Sequence, residues 1–306
     1  MKTRSRFTPL ALASLSLVTP AFALISIDFV PVGNAGNAAD TTGYGAVSYA
    51  YQIGKYEVTN SQYTAFLNAK GATNSNGIYN SSMASYGITQ TGSSGSFSYN
   101  VSSGYANKPV VYVSWFDAAR FSNWLGNGQG SGDMETGAYT LNNATSGIVT
   151  VNVGATVYIP SEDEWYKAAY FNPATTTYSL YPNGQNTITT ADANYNNSVG
   201  STTTVGTYTS DPSPYGTFDQ AGNVGEWDDG IISTGRVRRG GRFDNTDAAI
   251  ASTYRSASSP TSETNSLGFR VVSTSASVAT TVPEPSALVI MGLSALGLAA
   301  RRRRVA

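Results

Sequence analysis

A chain of 306 residues with 41% hydrophobic side chains holds enough apolar material for a packed core, so general disorder is excluded. It contains no Cys and no His, which excludes disulfides, thiolate nucleophiles, iron–sulfur clusters, cysteine-built zinc sites and Ser–His triads. Only 12% of residues are charged, 18 basic against 19 acidic, and this low charge density amid Gly, Ser, Thr and Asn suits a loop-rich extracellular domain.

In chain order, Lys2, Arg4 and Arg6 lead into an apolar stretch from Leu10 to Val18 and then Ala21-Phe22-Ala23. That order predicts a secretory signal over 1–23, cleaved after Ala23. The body, 24–272, shows no proline-rich linker, charge block or internal repeat, and reads as one compact domain. Three capping boxes announce its helices: Thr59 with Gln62, opening a helix through Ala69; Ser114 with Asp117, opening SWFDAARFSNWL; and Ser161 with Glu164, opening SEDEWYKAAYF. In each, the hydroxyl accepts from an orphan backbone N–H and the third residue reaches back to the cap. Apolar positions at helical spacing (Tyr63, Phe66, Leu67; Phe116, Ala119, Trp124; Trp165, Ala168, Ala169) predict faces turned to the core. Tyr49–Tyr56, Pro109–Val113 and Ile148–Ile159 are β-prone. The run Gly126–Gly132 (GNGQGSG) follows no strand and lacks a Lys-Ser/Thr pair, so it predicts a helix stop and flexible connection rather than a phosphate loop. Three short helices among scattered strands and long Gly/Asn/Ser loops predict an α+β fold of low regular content. Residues 273–281 (STSASVATT) read as a flexible linker.

The last segment, 282–306, joins Pro283-Glu284-Pro285 to an uncharged stretch from Ala287 to Ala300 and then Arg301 to Arg304. A helix over that stretch is roughly 21 Å long, against the ~30 Å hydrocarbon layer. The three parts in this order resemble the PEP-CTERM sorting signal of Gram-negative bacteria. The resemblance implies exosortase-type machinery as a partner, transient membrane insertion through this segment, and delivery to the cell surface or extracellular matrix. Setting aside Lys2, Arg4, Arg6, Arg301 to Arg304 and Glu284 leaves a body of 11 basic and 18 acidic residues, a net of −7. Such a body does not suit nucleic acid and does suit cations.

Six segments in order are similar to the formylglycine-generating enzyme family, also called sulfatase-modifying factor domains: YQIGKYEVTNSQYTAFLNA, KPVVYVSWFDAARFSNWL, YIPSEDEWYKAA, YGTFDQAGNVGEW, RRGGRF and LGFRVV. The resemblance spans nearly the whole body and implies a C-type-lectin-like fold with structural calcium. The family's first calcium set falls on Asp219, the carbonyls of Gly222 and Val224, and Glu226. A second falls on Asn194 and the carbonyls of Tyr195 and Tyr208, without the acid some members carry near Gly206. Oxygen ligands in a tight turn suit a hard cation, while an acidic turn holding no ion is the alternative. The family usually has Trp where this chain has Gly225.

Arg239, Arg255 and Arg270 read either as guanidinium groups bridging loop carbonyls and carboxylates, which is the favoured reading, or as an anion-binding patch. The family's oxidases bind copper through two cysteines shortly after the Arg-Gly-Gly block, and related sulfoxide synthases bind iron through histidines. With neither residue present, copper and iron are not expected. Two functions remain. One is a binding or matrix module whose ligand face, by analogy of fold, follows Arg-Gly-Gly over 242–259 with Arg242, Asp244, Asn245 and Asp247 at its head and a surface polysaccharide or matrix ligand. The other is an enzyme: one of this superfamily with divergent chemistry, or a carboxylate hydrolase using two of Asp228, Asp229, Asp244 and Asp247.

Overall fold

The computed structural model describes residues 24–274. All three predicted helices form behind their capping boxes: α1 Asn60–Lys70, α2 Trp115–Gly126 and α3 Glu162–Tyr170. At α2 the reciprocal bonds are Ser114 N to Asp117 Oδ2, 2.8 Å, and Asp117 N to Ser114 Oγ, 3.2 Å.

Helix α2 is buried from Trp115 to Leu125, polar positions included, where sequence spacing suggested one apolar face. Two of its polar side chains, Arg120 and Asn123, are held by the loop that follows. Arg120 bonds Glu135 and the Ala144 carbonyl, and Asn123 donates to the Met134 and Tyr139 carbonyls and accepts from Tyr139 N. Loop carbonyls here do what water does on an exposed helix face. Tyr63 and Phe66 of α1, Phe121 and Trp124 of α2, and Phe269 form the aromatic centre, with ring centroids 5.3 to 6.5 Å apart.

Two small sheets frame this core. One runs in the order β1 (Phe29–Val32), β2 (Tyr51–Gly54), β12 (Val272–Ser273) and β5 (Val157–Tyr158), all antiparallel. The other runs β10 (Ser256–Ser258), β9 (Gly235–Arg239), β8 (Gly225–Ile232) and β11 (Leu267–Phe269), with β11 parallel to β8. Hairpins β3–β4 (Ile88–Thr91, Ser98–Val101) and β6–β7 (Phe171–Asn172, Thr177–Tyr178) lie outside them.

Four expectations are corrected. Pro109–Val113 is not a strand. Pro109 has no N–H to donate, Tyr112 takes φ 59°, and Val110, Val111 and Val113 are apolar because they are buried. Of Ile148–Ile159 only Val157–Tyr158 pairs, and Val151 and Val153 face solvent. The linker does not begin at 273: Ser273 is buried in β12 and Thr274 N bonds the Thr156 carbonyl, so the body reaches 274. The glycine run is anchored through Gln129, whose amide clamps both the N–H and the carbonyl of Ile25 at 2.8 and 2.9 Å. The signal sequence, 275–281 and the sorting segment lie outside the described residues. Among the described residues no helix is long and apolar enough to cross a membrane.

Candidate functional site

The turn before β8 is built from left-handed residues: Asp219 (φ 61°), Gly222 (φ 78°) and Asn223 (φ 56°). Gly222 has no substitute, because a Cβ there would lie 2.1 Å from the Asn194 carbonyl oxygen. Its N–H bonds the Gly240 carbonyl at 2.7 Å, and Asn223 N bonds Asn194 O at 2.8 Å. The turn is thereby stitched to both the Asn194 loop and the Arg-Gly-Gly turn. Asn223 Nδ2 donates to Glu57 Oε1 at 3.0 Å, and its Oδ1 accepts from Asn194 Nδ2 and Thr203 N.

Glu57 was not singled out in the sequence. Its only signal is a lone acid between Tyr56 and Val58 in the stretch YQIGKYEVTN. In the fold it is buried, Oε2 has no partner, and burial followed by the charges of Asp219 and Glu226 pushes its carboxyl well above the ordinary range. Burial likewise raises Asp219 to about 6, although Oδ2 accepts from Gly206 N at 2.6 Å. Glu226 is fully buried in a bidentate pair with Arg270, 2.6 Å to each oxygen, and also accepts from Trp165 Nε1 at 2.8 Å. Arg270 spends its remaining donors on the carbonyls of Gly54, Lys55 and Phe218. Three acids therefore share one arginine, an excess of two negative charges if all are ionised.

The first predicted cation set is thus placed in one turn, but Glu226 already serves Arg270. In the second set the Asn194 amide oxygen is buried without a partner, whereas the Tyr195 and Tyr208 carbonyls accept from Ser198 N and Asp211 N. Among the described residues no three acidic side chains converge closely enough to hold a metal by themselves. A cation here would need main-chain carbonyls. The orphaned Glu57 and Asn194 oxygens and the excess negative charge fit a hard divalent ion in that way.

A second feature lies beyond the Arg-Gly-Gly turn. A cavity of about 210 Å³ is lined by Gly225, Arg238, Arg239, Gly241, Arg242, Asn245, Tyr254 and Ser256. A Cβ on Gly225 would meet nothing closer than 3.7 Å, so the cavity has room for a side chain at that position. Of the predicted ligand residues, Arg242 and Asn245 line the cavity. Asp244 holds Arg242 at 2.7 Å at the surface, and Asp247 opens an exposed single turn of 3₁₀ helix. Arg239 is buried, paired with Glu162 and bonded to the Ser252 and Tyr254 carbonyls. Arg255 pairs with the same Glu162. The bridging reading of Arg239, Arg255 and Arg270 describes what they do.

The four acids considered for hydrolysis stand in different surroundings. Asp228 is buried, with its carboxyl pushed well up by burial and then by Glu162. Asp229, its neighbour on β8, pairs with Arg236 at 2.6 Å, and Asp244 and Asp247 sit on the loop.

Comparison with known proteins places this architecture. The model of the sulfatase-modifying factor enzyme 1-like domain matches residues 30–275. The chain belongs to that family. The PEP-CTERM protein-sorting motif matches 281–304, marking this family member for export, surface sorting and handling by exosortase-type machinery. Among solved structures, Treponema denticola variable protein 1 aligns with TM-score 0.58 at 21% identity over 83% of this chain and 97% of that one. CarF aligns with TM-score 0.55 at 21% identity over 82% and 99%. Both show the fold alone. The serine/threonine-protein kinase pkn1 of Chlamydia pneumoniae is 32% identical over 124 residues, 40% of this chain and 14% of that kinase. The chain thus spans only a small part of that curated relative's length.

Proposed function

We propose that this sulfatase-modifying-factor-like domain is a surface-displayed, non-catalytic binding or matrix module, stiffened by calcium. The observation that carries the reading is the cavity behind the Arg-Gly-Gly turn. Its lining offers guanidinium, amide, hydroxyl and phenol groups and no general base, and the nearby carboxylates of Glu162 and Asp244 are committed to arginines. A chain with no Cys and no His has no thiolate or imidazole for redox chemistry. Calcium is supported by the orphaned oxygens of Glu57 and Asn194 and by the three acids around Arg270. In the first set Asp219, Glu226 and the carbonyls of Gly222 and Val224, with Glu57 beside them, would hold an ion, and in the second Asn194 with the carbonyls of Tyr195 and Tyr208 would do so; the metal would supply rigidity rather than reactivity.

Two assays on the purified full-length protein test the reading. A panel of surface and matrix polysaccharides should yield a saturable binder. A cysteine-bearing sulfatase peptide incubated with copper and oxygen should stay unconverted, and conversion of that peptide would overturn the non-catalytic assignment.

A further inference from the structure

Six of the seven arginines among the described residues sit within 2.7 Å of a carboxylate oxygen: Arg120, Arg236, Arg239, Arg242, Arg255 and Arg270. Arg238 is the exception. It lies on β9 opposite Ser256 of β10, and among the described residues its guanidinium makes one hydrogen bond, from Nε to Ser256 Oγ at 2.9 Å. Both terminal nitrogens of a half-buried guanidinium are left for something other than protein. These two nitrogens are open to solvent, so an acid group arriving from solution can take them without displacing any protein partner.

Its surroundings add to the positive charge. Arg238 lines the cavity together with Arg239 and Arg242. Arg239 and Arg255 share the single carboxylate of Glu162, so that cluster keeps one positive charge, and Asp228 behind it is driven toward its neutral form by burial. Asp244 offsets Arg242. Burial, and then the charge of Arg242, lowers the Arg238 pKa. This positive cavity sits on a body of net charge −7, so it is not a by-product of overall composition. The other lining groups are Tyr254, 41% exposed, together with Asn245 and Ser256. A phenol face with amide and hydroxyl donors suits a sugar ring. At about 210 Å³ the cavity is smaller than the roughly 300 Å³ at which drug-sized sites begin, so it takes one group of a longer molecule.

We propose that this cavity captures an oxyanion carried on a saccharide, a uronate carboxylate or a sulfate ester, with the Arg238 guanidinium as its forked donor and Arg242 and Tyr254 at the rim. The proposal rests on the reading of the chain as a binding module and gives that module its ligand class. A planar fork matches two oxygens of one acid group, and Gly225 leaves open the room in which the group sits.

The test is affinity of purified full-length protein for three polymers: polygalacturonate for carboxylate, dextran sulfate for sulfate ester, and neutral dextran. Binding to one or both anionic polymers is expected, weakening as salt rises, with at least a tenfold loss in Arg238→Ala and a smaller loss in Arg238→Lys. Gly225→Trp provides an independent variant. It fills the cavity while leaving Arg238 in place, and it should abolish binding with a melting temperature within a few degrees of wild type. Equal affinity of wild type, Arg238→Ala and Gly225→Trp for the anionic polymers would overturn the proposal. Saturable binding of neutral dextran unaffected by Arg238→Ala would also overturn it while leaving the binding-module reading intact. Binding to none of the three polymers, with none in the wider polysaccharide panel, would remove both.

Discussion

Glu57→Gln is the most informative single change in the acidic turn. Glu57, Asp219 and Glu226 surround Arg270, and Gln replaces one of the three carboxylates by a neutral group that still accepts from Asn223. At a calcium concentration about 100 times the dissociation constant, an ion bound only to the folded state adds about 2.7 kcal/mol. For a body of this size each kcal/mol moves the midpoint by roughly 2–4 °C, so wild type should melt about 5–11 °C higher in calcium than in chelator. One unit charge about 4 Å from another is worth about 4 kcal/mol at an effective dielectric of 20, so losing one carboxylate should weaken the ion by well over tenfold and erase most of that shift. In chelator the sign reverses: Glu57→Gln should melt at or above wild type, because burial and the charges of Asp219 and Glu226 already disfavour an ionised carboxylate at this position and the amide has none to suppress. Differential scanning calorimetry of both proteins in both buffers reads all four values. Equal calcium shifts in wild type and variant, or no shift in wild type, would refute the reasoning.

Three further outcomes are expected. Asp117 is buried in the α2 capping box with its carboxyl raised from 3.8 to about 7, mainly by burial; because the folded chain holds that proton more tightly, stability present below pH 4 should fall as pH rises toward 7. The decline should be shallower in Asp117→Asn, as read by denaturant midpoints across that range. Arg270→Ala leaves Glu226 buried and unpaired, and should cost about 3–5 kcal/mol in chemical unfolding; a loss below 1 kcal/mol would show that the pair is dispensable. Gly222→Ala drives a Cβ against the Asn194 carbonyl at φ 78° and should cost on the order of 3 kcal/mol, seen as a lowered midpoint and faster hydrogen exchange in the turn.

What was legible in the sequence is what neighbouring residues decide among themselves. Thr59, Ser114 and Ser161 each open a helix because the cap, the donor it satisfies and the residue that reaches back lie within three positions. The absence of Cys and His removes whole chemistries without reference to fold, and the order of six motifs carries the family. Tertiary structure alone decided which polar groups face one another. Glu57 meets Asn223 from 166 residues away, and Arg270 meets Gly54 from 216; nothing local in KYEVTN says that its acid is buried. Pro109–Val113 and Ile148–Ile159 show the same limit from the other side, since an apolar run records burial or β-propensity but not whether a partner strand lies beside it. Among the described residues six arginines found carboxylates and Arg238 did not, and that distinction exists only once β9 has paired with β8 and β10. Charge is written residue by residue, whereas its compensation depends on distances that only the folded chain sets.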